Sequence, residues 1–192
     1  AVIGAFGWLE TLCEKIHARG EESAPDFITI DSGDGGTGAA PMPLMDNVGL
    51  LVSGSLPMVA DILCRHGLKK RIRLISSGKF ITPSGVAWAL CAGVNFVVTA
   101  RGFMFSLGCI QALKCNRNTC PTGITTHNPR LQRGLEPYGK AERVANYWRN
   151  ITHEVEVIAH SFGVPEPCRL NRYHVRIVQA GGRSVPMEDL YP

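Results

Sequence analysis

The chain has 192 residues, 45% of them hydrophobic and 19% charged, with a net charge of +4. That length carries one domain with a substantial core, and the mild charge, without a basic tract or interleaved aromatics, argues against a nucleic-acid reader. Seven cysteines, an odd number with three of them clustered, argue against a secreted disulfide framework and for a reducing, cytoplasmic setting. The most apolar window, 86–98, is too short to cross a membrane and is broken by Asn95. The chain opens without a methionine or a basic, signal-like segment, so it is expected to be the inside of a longer protein.

Apolar residues at Leu9, Leu12 and Ile16 predict a helix over 8–18 that stops at Gly20. Residues 26–31 read as a short buried strand, followed by a loop with Gly33, Gly35, Gly36 and Gly38, whose amides can approach a ligand closely. Ser55 is the expected N-cap of a helix over 56–66, with Pro57 in its first turn and Gly67 as its stop; residues 69–71 form a solvated basic corner. A second strand, 72–76, ends in Ser77-Gly78-Lys79, and Thr82-Pro83 opens a helix through Cys91 and Ala92 that Gly93 ends. A third strand, 94–99, ends in Ala100-Arg101-Gly102 and leads into a helix that carries the clustered cysteines.

Strand, glycine loop and helix thus recur three times, which predicts parallel α/β architecture. Strand ends bearing glycine and a polar residue fit a phosphate cradle of the kind that (β/α)8 barrels build from their late loops. Beyond 135 the pattern changes. Val144, Trp148, Ile151, Val155, Ile158 and Phe162 predict an amphipathic helix of about 23 residues ending at Gly163. Its stripe suits packing on the rest of the chain or on a partner helix, including a second copy. Residues 170–187 read as irregular or hairpin structure turning at 180–182.

Cys109, Cys115 and Cys120 stand in a C-x5-C-x4-C array with Pro121 after the last. On one continuous helix the first two would point well over 90° apart, so the sulfurs converge only if the helix ends, near Lys114, and the chain folds back. Three converging thiolates suit an iron–sulfur cluster, with three irons or with four and one non-cysteine corner. The rival is zinc held by the three cysteines and His127, in a non-catalytic module that serves as a scaffold or binds a partner. Buried or free thiols are the remaining reading. The other four cysteines and the scattered histidines carry no metal spacing.

Three anchors give a resemblance: the stretch Asp34 to Ala39 after a strand, Ser77-Gly78-Lys79 after the next, and the block 100–123 with Gly108-Cys109, Cys115, Asn118 and Cys120-Pro121-Thr122-Gly123. The sequence resembles the C-terminal half of the FMN-binding synthase domain of glutamate synthases and their shorter relatives. The resemblance implies the last three βα units of a (β/α)8 TIM barrel over 1–135, with a C-terminal helix and tail over 136–192 packed on it. It implies FMN bound by Gly35, Gly36, Thr37, Gly38, Ser77, Gly78, Lys79, Arg101 and Gly102, and a three-iron (3Fe-4S) cluster on Cys109, Cys115 and Cys120. Lys79 would stabilise the reduced ring; Asp34 is a candidate catalytic carboxylate or, more simply, the cap of its loop. In such enzymes reduced FMN passes hydride to 2-iminoglutarate, formed from 2-oxoglutarate and ammonia, giving glutamate, with electrons from a partner subunit or ferredoxin. Here Ser76 stands where that family often has Asp, and the earlier strands and substrate-binding basic residues fall outside the chain. It therefore reads as a fragment or subunit that needs the remainder of the barrel.

Overall fold

The structure, a computed structural model, describes residues 4–35, 40 and 42–191. Helix α1 (Gly7–Arg19) precedes three βα units: β1 (Phe27–Asp31) with α2 (Val52–Arg65), β2 (Arg73–Ser77) with α3 (Pro83–Cys91), and β3 (Phe96–Val98) with α4 (Ala100–Ser106). One-turn helix α5 (Pro129–Gln132) and long helix α6 (Pro137–Ser161) follow, then hairpin β4 (Arg176–Val178) and β5 (Ser184–Pro186), and α7 (Met187–Leu190).

The three strands form one parallel sheet in the order β1-β2-β3, with Asp31 opposite Ser77 and Ser77 opposite Val98. Their C-terminal ends therefore share one edge, and the three following loops stand side by side there. This is the α/β architecture expected, compatible with part of a (β/α)8 barrel. Alternation gives the sheet two faces. Ile30, Leu74 and Ser76 point into the helical layer and are buried, while Phe27 and Phe96 on the opposite face are each 60% exposed. The core joins Leu9, Cys13 and Ile16 of α1 to Leu56, Val59 and Leu63 of α2 and to the inner face of the sheet.

Helix α2 departs from expectation. It begins at Val52, three residues before Ser55, which lies inside the helix with its hydroxyl buried and unpartnered. The cap comes instead from Asp34, whose Oδ2 accepts the Val52 N–H at 2.7 Å. The basic corner is likewise structural. Arg71 donates to the Asp26 carboxylate and the Ala24 carbonyl, and burial lowers the Lys69 pKa. The Thr82–Pro83 start is as expected, with Thr82 Oγ1 accepting from the Gly85 N–H at 3.3 Å.

Helix α6 has 25 residues and is capped by Glu136, whose carboxylate accepts the Tyr138 and Gly139 N–H groups. Its buried residues are Ile151, Val155 and Ala159, and Ala159 packs in a second cluster with Ala87 and Cys91 of α3. Much of the expected stripe is thus used within the chain, whereas Trp148 and Phe162 stay exposed. The hairpin turns at Gly181 and Gly182, as its sequence predicts. Arg172 ties this tail to α2, donating to the Pro57 carbonyl at 3.0 Å and pairing with Asp61. Among the described residues no helix is long and apolar enough to cross a membrane.

Candidate functional site

The cysteine segment is a loop. Helix α4 stops at Ser106, eight residues before the expected end, because Gly108 takes φ 93°. The Gly108 N–H reaches the Phe105 carbonyl at 2.8 Å and the Cys109 N–H reaches Met104 at 3.0 Å, a Schellman motif that a residue without Cβ completes readily. Cys109 is therefore the first residue clear of the helix. Gln111, Leu113 and Asn118 also have positive φ, so the loop coils tightly.

Its return leg is stapled by Asn118. The side-chain oxygen of Asn118 accepts from the Thr126 hydroxyl at 3.0 Å and from the His127 N–H at 2.6 Å. Thr126 also donates to the Asn118 carbonyl at 2.8 Å, and Gln132 donates to the Thr126 carbonyl at 2.9 Å. Gly123 sits where a Cβ would collide with the Leu131 carbonyl and approach Leu135 N at 3.1 Å.

All three cysteines line one cavity, together with Arg101, Thr122 and Thr125. All three are free thiols; Cys120 is buried and the other two are half-buried. Burial disfavours ionisation of Cys120, but the hydroxyls and backbone N–H groups of Thr122 and Thr125 around its sulfur outweigh it and bring the thiol down to about 6. The Thr122 hydroxyl lies 3.3 Å from the sulfur. The Thr125 hydroxyl favours the thiolate electrostatically yet makes no hydrogen bond of ordinary geometry and is buried without a partner. Neither threonine stands out in the sequence by residue type alone; only the fold brings both to Cys120.

His127 lies outside this cavity, in a neighbouring depression that shares only Cys115 of the three cysteines. Among the described residues no three His, Cys, Asp or Glu side chains are gathered to hold a single metal ion. Zinc needs its sulfurs about 2.3 Å from one centre. Three cysteines that line one cavity without being gathered on a single centre fit a multi-iron group better than one ion.

At the sheet edge, Ser77 and Gly78 follow β2 and Arg101 and Gly102 follow β3, so neighbouring strands bring the two segments together. A Cβ on Gly78 would crowd Val52 and Ser32, and one on Gly102 would strike the Tyr147 ring. Tyr147 on α6 donates to the Ile81 carbonyl at 2.9 Å and meets Phe103 edge-on, holding the loop after β2 and helix α4 against α6. These segments fit a phosphate-bearing group. Lys79 is paired with Asp46 at 2.6 Å. Asp34 accepts from the Ser32 hydroxyl as well as from Val52, so its carboxylate is engaged in holding the loop and α2. Gly35 packs over Met45; Gly36, Thr37 and Gly38 lie outside the described residues.

The family model of the conserved region in glutamate synthase matches residues 10–165, spanning every βα unit and the cysteine loop. This chain belongs to the glutamate synthase family. It is 40% identical over 174 residues to the glutamate synthase large subunit-like protein YerD of Bacillus subtilis, covering 91% of this chain and 33% of that protein. It is 34% identical over 156 residues to an archaeal glutamate synthase (NADPH) of Methanocaldococcus jannaschii, covering 80% of this chain and 31% of that protein. Against the glutamate synthase (NADPH) large chain of Bacillus subtilis it is 31% identical over 142 residues, 74% of this chain and 9% of that protein. The chain thus spans about a third or less of these glutamate synthase relatives.

Proposed function

We propose that this chain is the cofactor-holding part of an FMN- and iron–sulfur-dependent oxidoreductase of glutamate synthase type, which reduces 2-iminoglutarate, from 2-oxoglutarate and ammonia, to glutamate. The observation that carries the reading is the single cavity shared by Cys109, Cys115, Cys120 and Arg101. Arg101 lies in the first turn of α4, just past the C-terminal end of β3, so the thiol cavity adjoins the sheet edge where the glycine loops gather.

In this reading the three cysteines hold a three-iron cluster, and Ser77, Gly78, Arg101 and Gly102 hold the FMN phosphate. When bound, the two groups supply electron relay and hydride transfer. Arg101 supplies fixed positive charge between the two sites, and Lys79, held by Asp46, places a cation at the strand edge for the reduced ring. We assign Asp34 to positioning: it fixes the Gly33–Gly35 turn and the start of α2. The remaining strands, the residues that grip 2-oxoglutarate and the docking of an electron-donor subunit or ferredoxin belong to the rest of the protein, in a cytoplasmic assembly. The Cys3His zinc alternative is disfavoured by the position of His127.

The test is an anaerobic absorption spectrum of the full-length protein containing this chain, with iron, sulfide, zinc and FMN quantified on the same sample. About three irons and one FMN per chain are expected, with iron lost on replacing any of the three cysteines by serine. Zinc in place of iron, or no metal and no flavin, overturns the reading. Iron without flavin in the isolated 192-residue chain would show that FMN needs the remainder of the barrel.

A further inference from the structure

Among the described residues, the three thiols that line the cavity do not have equal surroundings. Cys120 has the Thr122 hydroxyl 3.3 Å from its sulfur, and no side-chain hydroxyl lies at hydrogen-bond distance from the sulfur of Cys109 or Cys115. The Thr125 hydroxyl lines the same cavity, fully buried and orphaned. Buried hydroxyls are nearly always paired, so one left without an acceptor beside three thiols points to a sulfur-bearing group as its intended acceptor. Both threonines follow Cys120 on the tight turn that Gly123 and the Asn118 staple hold in place, so their positions are set by backbone rather than by chance rotamers.

We propose that Thr122 and Thr125 are positioning residues that donate hydrogen bonds to the Cys120 corner of the iron–sulfur group and thereby set its reduction potential. The inference rests on the iron–sulfur reading above and goes beyond it. A hydrogen bond to a ligand sulfur withdraws electron density and stabilises the more negative, reduced state, which raises the potential. The unequal donors make the Cys120 side the corner where reduction is most stabilised. They also hold the sulfur in place when the group's charge changes.

The experiment is an electron-paramagnetic-resonance-monitored redox titration of the full-length holoprotein and its Thr122→Val, Thr125→Val, Thr122→Ser and Thr125→Ser variants. Valine keeps the shape and removes the donor; serine keeps the donor. Each valine variant is expected to shift to lower potential, the double valine variant further still, and each serine variant to stay at the parental value. Valine variants with full iron content and the parental potential overturn the inference, as do serine variants shifted as far as valine ones. A second measurement needs no variant: exchange of the parent into deuterated water, read as the loss of proton hyperfine couplings at the cluster. A spectrum that loses no coupling on exchange, beyond the unchanging couplings of the cysteine CH2 protons, overturns the inference. A parent without iron overturns the iron–sulfur reading itself and this inference with it, which separates the two failures.

Discussion

Gly123 has φ 78°, and any side chain there would meet the Leu131 carbonyl and the backbone of Gln132. Backbone neighbours cannot swing aside as a flexible side chain can. Replacing Gly123 with alanine is expected to lower stability by about 1–3 kcal/mol, read from the urea midpoint. Selective alkylation of Cys120 should rise in the same variant; an unchanged midpoint would mean that residues 129–135 do not pack on the loop. Gly102 poses a different case, since its obstacle is the Tyr147 ring. Tyr147→Phe removes the bond to the Ile81 carbonyl, at an expected cost of about 0.5–1.5 kcal/mol in the same urea assay. At this scale sequence reasoning names the cysteines and the glycines, and reads the glycines as helix stops or as points of approach to a ligand. At Gly102 and Gly123 the structure shows another, close passage of the chain's own elements.

Helix α2 owes its start to a carboxylate 18 residues upstream. Asp34→Ala is expected to destabilise the protein by about 1–2 kcal/mol in urea unfolding, with Asp34→Asn recovering most of it, because the cap needs an acceptor more than a charge. An equal loss in both variants would instead place weight on the charge at the helix N-terminus. The expected cap, Ser55, carries the right residue type, but local pattern cannot register a cap supplied from another loop. The end of α4 differs for the opposite reason: the sequence carries the helix to near Lys114, whereas Gly108, in plain view, ends it at Ser106. Helices α1 and α2 are joined on their outer side by Glu10, which pairs with His66 at 2.7 Å and Arg65 at 2.8 Å. The hydrogen bond from His66 is the main cause of Glu10's lowered pKa, opposed by burial and assisted by the charges of Arg65 and His66. A carboxyl lowered in the folded state contributes stability above its unfolded value, near 4.5, and that contribution is lost as pH falls through the folded value. The melting-temperature gap between the parent and Glu10→Gln is therefore expected to be constant near neutrality and to close below about pH 4. A gap that persists into acid would assign the role of Glu10 to packing.

For the whole molecule, the order of strands was legible because each unit repeats the same sequence grammar, and parallel pairing follows from the helices between them. What composition cannot show is which face of the sheet stays uncovered. Phe27 and Phe96 lie on that face, each 60% exposed, and Val98 beside them is 41% exposed. A surface of that kind is rare on a self-sufficient domain. The isolated chain is expected to bind an apolar dye such as ANS and to self-associate in sedimentation, with both signals suppressed in the full-length protein. A dye-silent monomer would mean that the face closes by some local rearrangement.

The Asn118 staple has a consequence for upkeep. The loop 107–135 is held by Asn118, Thr126, Gln132 and the Gly123 crossing, none of which is a proposed iron ligand. Its shape is therefore inherited from the polypeptide. On the proposed iron–sulfur reading, a cluster damaged by oxygen would leave a loop whose fold does not depend on it, so repair would be a matter of supplying iron, sulfide and electrons rather than of remaking the protein.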